Sequence, residues 1–155
     1  MNETTLAYIA GFLDGDGSIF FQIVKTKNLQ KPFSIRGSIQ FSQKRDNVAI
    51  LELLHQYFGV GYIRHRKTGI SDYIVVEFKE LERLLLLLNP YLVLKKQHAE
   101  LGLEILQRLK TQRTDENFLE ICRLVDKFGK INYSKKRTIT TGVVNSFYQN
   151  NIVPL

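Results

Sequence analysis

The stretch that decides the fold is Leu6–Ile23, which reads LAYIAGFLDGDGSIFFQI. Small and apolar residues lead up to two aspartates, Asp14 and Asp16, which stand among glycines, and residues typical of a strand follow at once. Charged side chains are costly to bury at the end of a packed helix. Two carboxylates in this place therefore need an explanation from the rest of the sequence.

The first part of the stretch predicts a helix that is capped by Thr4 or Thr5 and ends near Leu13. One face carries the apolar residues that a core requires. A second face carries small residues, which let another backbone come very close. We expect this second face to contact the same helix of another copy of the chain, through Ala7, Ala10, Gly11 and Asp14.

Two-fold symmetry would bring the acidic ends of two such helices together. Carboxylates at close range repel one another, and a divalent metal ion is the natural compensating cation. Because the acids are hard oxygen ligands with no cysteine or histidine beside them, Mg²⁺ is favoured over zinc. The alternative is a helix end followed by a tight turn, where Asp and Gly are ordinary residues.

Two hairpins follow in the predicted order. Alternating polar and apolar residues predict strands at 18–26 and 33–42, and a second hairpin surrounds Lys67–Gly69. The first pair is expected to have one apolar face and one polar, hydrogen-bonding face. A polar face that is simply solvated is the alternative, since antiparallel sheets often have one.

Helices are predicted after each hairpin and again in the C-terminal third. Asp46 is expected to cap the first of them, Gly59 to end it, and Pro90 to stop the second. The predicted helices cover 48–58, 80–88, 95–112, about 114–127 and the last part of 134–151. The order αββαββα followed by extra helices indicates one α+β domain over residues 1–155.

The composition favours a nucleic-acid partner. The 155 residues carry a formal net charge of +7, which favours a polyanion, nucleic acid before a membrane surface. The single cysteine, Cys122, excludes an intramolecular disulfide and a cysteine-based zinc site, and it is expected in the core. The longest apolar run, Leu84–Leu88, is too short to span a bilayer, and no signal peptide is visible. We expect an intracellular protein with no membrane partner.

The polar sheet face has the dimensions of a DNA groove. A nine-residue strand spans about 30 Å, which matches roughly nine base pairs, and a two-stranded ribbon fits the major groove. Five side chains of this face can donate hydrogen bonds to base edges or phosphates: Gln22, Arg36, Gln40, Arg64 and Arg66.

Leu6–Ser18, LAYIAGFLDGDGS, resembles the signature helix of the LAGLIDADG homing endonucleases. The resemblance continues through QFSQK, GVGYIRHR, SDYIV and NPYLVLKKQ, at residues 40–44, 59–66, 71–75 and 89–97, and fades after about residue 125. One copy of the signature is present. The chain therefore resembles the small homodimeric type, above all those encoded in group I introns of organellar large-subunit ribosomal RNA genes.

The resemblance implies an αββαββα fold whose saddle-shaped antiparallel sheet lies on DNA. It implies a site-specific homing endonuclease that binds a long pseudo-palindromic double-stranded site as a homodimer and hydrolyses one phosphodiester in each strand, which promotes intron mobility. Mg²⁺ is the implied cofactor, Mn²⁺ a substitute, and no small-molecule cofactor is expected. The implied location is the chloroplast or mitochondrion in a eukaryote and the cytoplasm or nucleoid in a prokaryote.

The resemblance also implies catalytic roles. Asp16 matches the acid that binds metal, and the carbonyl of Gly15 matches a backbone oxygen that contacts the metal. Gln43 matches the residue that orients the attacking water. Lys95, or Lys96 if the register differs by one, matches the base that polarises water or stabilises charge at the phosphate.

Two positions near the site depart from these roles. Asp14 does not match the essential acid and is expected to be structural. Asn47 stands where close relatives often have an arginine, and Arg45 or Lys44 is the candidate to reach the same pocket.

DNA contacts are expected along the polar sheet face and in the SKKR loop, Ser134–Arg137. The residues are Phe20, Gln22, Val24, Thr26, Asn28, Ser34, Arg36, Ser38, Gln40, Arg64, Arg66, Asp72, Ile74, Ser134 and Lys135.

Three alternatives stay open at this point. An RNA-splicing maturase or a non-cleaving DNA-binding regulator could be built on the same fold, and neither would need the acid. A basic structural RNA-binding protein would explain the charge, but not the helix end. The joint presence of Asp16, Gln43 and Lys95 argues against a pure binding function, although a bifunctional protein is compatible with it.

Overall fold

The structure is a computed structural model that describes residues 1–133 and 136–151. The helices and strands are α1 (Glu3–Asp16), β1 (Gly17–Lys25), β2 (Phe33–Lys44), α2 (Ala49–Phe58), β3 (Tyr62–His65), β4 (Ile70–Val75), α3 (Phe78–Leu88), α4 (Lys96–Thr111), α5 (Asp115–Ile131) and α6 (Thr141–Asn150). The predicted order, αββαββα followed by extra C-terminal helices, is confirmed.

The chain groups into two compact units. The first unit comprises residues 1–20 and 37–103, and the second comprises residues 21–36 and 104–155. β1 and β2 each begin in one unit and end in the other. The expectation of one domain over residues 1–155 therefore stays a prediction.

The four strands form one sheet in the order β1-β2-β4-β3. β4 pairs antiparallel with both β2 and β3. Asp72 on β4 lies opposite Ser42 on one side and Arg64 on the other, so these three side chains share one face. Along β1 the buried residues are Ile19, Phe21 and Ile23, which confirms the alternation predicted for this strand.

The core of the first unit is apolar and aromatic. α1 contributes a stripe at the helical spacing, Leu6, Ile9, Ala10 and Leu13, and all four residues are buried. The ring of Tyr73 stacks on those of neighbouring aromatics and its hydroxyl donates to the carbonyl of Val60 at 2.8 Å. The leucine run of α3 is also core, since Leu84, Leu85 and Leu88 are fully buried.

In the second unit, aromatic contacts join strands to C-terminal helices. The rings of Phe21 and Phe128 lie 5.3 Å apart, and those of Phe33 and Phe147 lie 5.7 Å apart. Cys122 is buried in α5, as expected, and burial raises the pKa of its thiol to about 12. The Cys122 thiol therefore packs in the core and is not a reactive group.

Several helix ends differ from the prediction. Asn2, rather than Thr4 or Thr5, caps α1, because its side chain accepts from the backbone N–H of Thr5 at 2.8 Å. α1 also runs on to Asp16 instead of ending near residue 13, so both aspartates belong to its last turn. Asp46 makes no capping bond and lies in a short 3₁₀ turn before α2.

Other ends agree with the sequence. Gly59 ends α2 in the left-handed conformation, with φ of 70°. Pro90 lies in the 3₁₀ turn that follows α3, and Thr114 caps α5. Within the described residues, no helix has the length and hydropathy needed to cross a membrane.

Candidate active site and nucleic-acid interface

α1 ends with two aspartates where the backbone is already electronegative. The last carbonyls of a helix carry a partial negative charge, so carboxylates in this turn are unfavourable without a cation nearby. Gly17 follows, and a Cβ at this position would lie 2.8 Å from the carbonyl oxygen of Gln40. Glycine is thus required for α1 to turn directly into the sheet.

Asp16 and Gln43 line the same open cleft beside α1. Asp16 is exposed, and its carboxylate accepts no hydrogen bond from the described part of the chain. Gln43 is the second-to-last residue of strand β2, and its Oε1 accepts from the backbone N–H of Lys44 at 3.0 Å. This bond leaves the Nε2 of Gln43 to donate to a ligand in the cleft. The other residues that line the cleft are Tyr8, Gly11, Phe12 and Ile50.

Lys95 reaches the end of α1 from the segment that precedes α4. Its Nζ donates to the carbonyl oxygen of Asp14 at 2.6 Å. Burial lowers the pKa of Lys95, while Asp14 and Asp16 oppose that shift through their charges. Lys96 begins α4 and is exposed. The structure therefore places Lys95, not Lys96, beside the aspartates.

Asp14 faces the interior side of this arrangement. Its carboxylate accepts from three consecutive backbone N–H groups, those of Val93 at 2.8 Å, Leu94 at 3.2 Å and Lys95 at 2.9 Å. The carboxylate of Asp14 is engaged within the chain, and its expected place on the dimer face stays a prediction. Its expected structural character agrees with these bonds.

The small-residue face of α1 is also narrower than predicted. Ala10 is fully buried in the core, because it falls on the same stripe as the apolar residues, and its predicted place at a dimer surface is wrong. Ala7 and Gly11 are exposed, and Tyr8 between them has 59% of its surface exposed. The exposed face of α1 is therefore formed by Ala7, Tyr8, Gly11 and Gly15.

One chain supplies only part of a metal site. Asp16 and Gly15 are exposed residues, and a carboxylate and a backbone carbonyl are hard oxygen donors of the kind that Mg²⁺ prefers. In the part of the chain that the structure describes, no three residues of the His, Cys, Asp and Glu types group to hold an ion. The donors present fit a hard divalent cation that takes its remaining ligands from water, a phosphate or a second chain.

A buried carboxylate organises the polar sheet face of the first unit. Asp72 has no exposed surface and accepts hydrogen bonds from four side chains. Arg66 makes two bonds to it, Nε to Oδ2 at 2.6 Å and Nη2 to Oδ1 at 2.7 Å. Arg64 donates to Oδ2 at 2.8 Å from Nη2. Ser42 donates to Oδ1 at 2.7 Å and Gln40 at 3.1 Å.

The electrostatics of this cluster favour the charged carboxylate. Burial alone would raise the pKa of Asp72, but the hydrogen bonds from Arg66, Ser42 and Arg64 outweigh it and lower that pKa to about 2. The hydrogen bond to Asp72 in turn holds the pKa of Arg66 above its usual value. Both guanidinium groups keep large exposed areas, 50% of the side chain for Arg64 and 41% for Arg66. They are thus fixed at one edge and open at the other.

Three of the predicted contact residues in the first unit are buried. Ser38 is 3% exposed, Asp72 0% and Ile74 4%. The prediction that these three side chains contact DNA directly is therefore wrong, because they are buried. Their positions in the strand alternation do agree with the polar face. The Oγ of Ser38 has no hydrogen-bond partner among the residues described. Gln40 and Phe20 are partly exposed.

The predicted contact residues of the second unit divide into two groups. Gln22, Val24 and Ser34 are partly exposed and Arg36 is exposed, as expected for a solvent-facing strand surface. Thr26 and Asn28 instead organise the loop between β1 and β2. Thr26 donates to the carbonyl of Lys31 at 2.6 Å, and Asn28 accepts from the N–H of Gln30 at 2.9 Å.

The predicted contacts at Ser134 and Lys135 lie outside the described residues. Arg137, two residues further along, packs its side chain 3.1 Å from the position a Cβ would take at Gly129. Burial lowers its pKa, and it donates to the carbonyl of Val125 at 3.4 Å. This end of the SKKR segment is therefore anchored on α5.

Arg45, one of the two candidates to reach the pocket near Asn47, hydrogen-bonds to the β3–β4 turn. Its Nη2 donates to the carbonyl of Arg66 at 2.9 Å, and its backbone N–H donates to the carbonyl of Gly69 at 2.9 Å. These bonds hold Arg45 at the β3–β4 turn.

Sequence reasoning missed two functional features. Ser42 belongs to the Asp72 cluster; it lies inside the predicted strand 33–42, two residues after Gln40 and on the same face, so the strand alternation could have found it. The bonds of Asp14 to the segment before α4 join residues 81 positions apart, and no local pattern indicates them.

Comparison with known proteins assigns the family. The model of the LAGLIDADG endonuclease family matches residues 9–103. The chain is 38% identical to DNA endonuclease I-CreI of Chlamydomonas reinhardtii over 94% of its length and 89% of that protein. It is 34% identical to DNA endonuclease I-CvuI of Chlorella vulgaris over 89% of its length and 86% of that protein.

Solved structures agree with this assignment. I-CvuI in complex with an I-CreI target in the presence of Mg, with the DNA not cleaved, matches with a TM-score of 0.90 and 32% identity over 96% of this chain and 94% of that one. I-CvuI with its own target in the presence of Ca matches with the same TM-score and 33% identity, over 95% and 94%. The family model, the related sequences and the solved structures all agree with the helix end and the sheet described above. The chain therefore belongs to the LAGLIDADG endonuclease family.

Proposed function

We infer that this chain is a site-specific DNA endonuclease, which hydrolyses one phosphodiester in each strand of a long double-stranded site. The observation that carries this inference is the placement of Asp16 and Gln43 in one cleft at the end of α1, with the Nζ of Lys95 bonded to the carbonyl of Asp14 in the same helix turn. A protein that only bound nucleic acid would need neither the exposed acid nor the lysine held at the same helix end.

Each of the three residues has a chemical task in phosphodiester hydrolysis. Asp16, with the carbonyl of Gly15, would hold Mg²⁺, and a bound Mg²⁺ would activate water and neutralise charge on the phosphate. Mn²⁺ is proposed as a substitute ion. The Nε2 of Gln43 orients the attacking water by donating to it. Lys95 places a positive charge where negative charge develops on the phosphate.

We propose that two copies of the chain form the active enzyme. Gly11 and Gly15 lie four residues apart on the exposed face of α1, and a Cβ at either position would meet nothing within 4 Å. Glycine inside a helix costs about 1 kcal/mol relative to alanine, so a position that needs no glycine for its own fold points to a close neighbour from outside.

The surface beside this face is apolar. A groove between α1 and α2 is lined by Tyr8, Ile50 and Leu53 among others, and Tyr57 at its edge is 48% exposed. The groove is continuous with the cleft that holds Asp16, because both are lined by Tyr8 and Ile50. A second copy that covers this surface would bring its own Asp16 to the first, which completes the partial metal site.

The polar sheet surface is the proposed DNA contact in each unit. In the first unit Arg64 and Arg66 face solvent from the Asp72 cluster, and planar guanidinium groups suit both guanine edges and phosphates. In the second unit the surface of β1 and β2 offers Gln22, Ser34 and Arg36. Because the relatives were solved on double-stranded DNA, we extend that partner to this chain.

A cleavage assay on a randomised double-stranded DNA library tests the proposal. The purified chain is incubated with the library in Mg²⁺, and the cut ends are sequenced. The ends should fall inside one recurring pseudo-palindromic sequence of about twenty base pairs, since each copy spans roughly nine. No cutting in Mg²⁺, or cutting that persists at the same rate in EDTA, would contradict the proposal.

A further inference from the structure

Asp14 contacts Lys95 at both ends of the lysine. Its Oδ1 accepts from the backbone N–H of Lys95 at 2.9 Å, and its main-chain carbonyl accepts from Nζ of the same residue at 2.6 Å. A flexible lysine is thus fixed at its root and at its tip by one residue.

The second carboxylate oxygen of Asp14 holds the two residues that precede Lys95. This Oδ2 accepts from the N–H of Val93 at 2.8 Å and of Leu94 at 3.2 Å. The side chains of these two residues make no comparable anchor, because they are 80% and 73% exposed. The segment before α4 is therefore attached to α1 through Asp14.

We propose that Asp14 is a positioning residue for Lys95, which sets the lysine ammonium beside Asp16 for the cleavage step. This proposal rests on the proposed function, since it requires Lys95 to act in hydrolysis. It gives the first aspartate of the DGD sequence a task that differs from that of the second. Asp16 meets the reacting groups, whereas Asp14 acts through Lys95.

An amide at position 14 should keep the fold but lose part of the hydrogen bonding to residues 93–95. Asp14→Asn retains one acceptor oxygen, and its NH₂ group would face a backbone N–H that is itself a donor. At least one of the three bonds to residues 93–95 is then lost, so the backbone of Lys95 is held less firmly against α1, although the main-chain carbonyl of residue 14 stays in the helix. The cleavage rate should therefore fall roughly 10- to 100-fold, which is typical when a residue that orients an active-site group is removed.

The decisive measurement is a double-mutant cycle with Lys95→Ala. Single-turnover cleavage in Mg²⁺ and the dissociation constant for the target in Ca²⁺ are measured for wild type, both single variants and the double variant. We expect Asp14→Asn to lower the cleavage rate with little change in the dissociation constant. In the Lys95→Ala background the same change should have almost no further effect, because a residue that acts through Lys95 has nothing left to position.

A matched control is Glu100→Gln, which removes a negative charge from an exposed residue near the start of α4. It should cut at the wild-type rate. If Asp14→Asn does not fold, Asp14→Glu replaces it in the same cycle, because the carboxylate is kept but carried one methylene further.

Two results would overturn the proposal. One is a wild-type cleavage rate for the folded Asp14 variant. The other is an equal loss with and without Lys95, which would assign the effect to Asp16 or to the helix end. Failure of the wild-type chain to cut any DNA would instead remove the proposed function, and the cycle distinguishes these cases.

Discussion

The guanidinium of Arg66 makes two parallel hydrogen bonds to the carboxylate of Asp72, at 2.6 and 2.7 Å. A two-bond pair of this kind fixes the plane of the guanidinium as well as its position. The carboxylate is buried and the arginine is partly exposed, so the buried charge of Asp72 fixes the orientation of Arg66 at the surface. The same carboxylate orients Arg64 from the neighbouring strand position.

Asp72→Asn should therefore lower the specificity of DNA binding more than its strength. Loss of the carboxylate frees both arginines to turn, while the net charge of the chain becomes more positive. Affinity for the target should fall relative to affinity for unrelated DNA, and the latter should stay equal or rise. Titration of both DNAs at two salt concentrations checks this. An unchanged ratio of the two affinities would contradict the orienting role.

The same variant carries a pH-dependent stability effect. The pKa of Asp72 is about 2 in the folded chain, and that of an unfolded aspartate is about 4. The charged carboxylate thus stabilises the fold above pH 4, and this contribution is lost as the pH falls towards 2. Urea unfolding should give Asp72→Asn a deficit of about 1–3 kcal/mol that is constant from pH 8 to 5 and shrinks below pH 4.

Asp46→Asn is the control for this measurement, because Asp46 is exposed and its side chain caps no helix. Its free energy of unfolding should differ little from that of wild type at every pH. A deficit of Asp72→Asn that grows as the pH falls would count against the assignment.

Glycine at position 17 should be less replaceable than glycine at position 129. A Cβ at position 17 would lie 2.8 Å from two backbone carbonyl oxygens, which cannot move away without disturbing α1 or β2. A Cβ at position 129 would lie 3.1 Å from the side chain of Arg137, which can shift. Gly17→Ala should cost about 1–3 kcal/mol in urea unfolding and Gly129→Ala less than about 1 kcal/mol. The reverse order would contradict the packing at these sites.

The exposed face of α1 predicts the behaviour of a bulky residue at position 11. Gly11→Leu should convert dimers to monomers, because the side chain has room within its own chain but would separate two helices in contact. Light scattering measures the mass, and circular dichroism checks that the fold is kept. Gly142→Leu, at an exposed position in the first turn of α6, should leave the mass unchanged. Dimers in both variants would place the interface elsewhere.

Local sequence patterns predicted most of the fold. The core stripe of α1 and the alternation of β1 depend on side chains three or four and two residues apart, and both are confirmed. Helix ends were less predictable, because Asn2 competes with Thr4 and Thr5 for the cap and the geometry alone decides.

The site could be predicted only where a signature marks it. Asp16 and Gln43 stand in recognisable motifs, and they do line one cleft. The burial of Ser38 and Ile74 could not be predicted from strand parity, since both stand on the alternation of the polar face and yet are buried. The bonds between Asp14 and residues 93–95 join residues far apart in sequence, so they also required the structure.

Removal of the metal-binding charge should separate DNA binding from cleavage. Asp16→Asn keeps the size of the side chain but removes the charge that holds Mg²⁺, so the single-turnover cleavage rate should fall about 100-fold or more. The carboxylate is exposed and would face phosphates, which it repels in the absence of a cation. The dissociation constant for the target, measured in Ca²⁺ and in EDTA, should therefore stay the same or decrease. Removal of Mg²⁺ from the wild-type chain should reproduce the loss of cleavage without loss of target binding, and added Mg²⁺ should restore it. A variant that cuts at the wild-type rate, or one that loses both binding and cleavage while folded, would show that Asp16 is not the metal-binding acid.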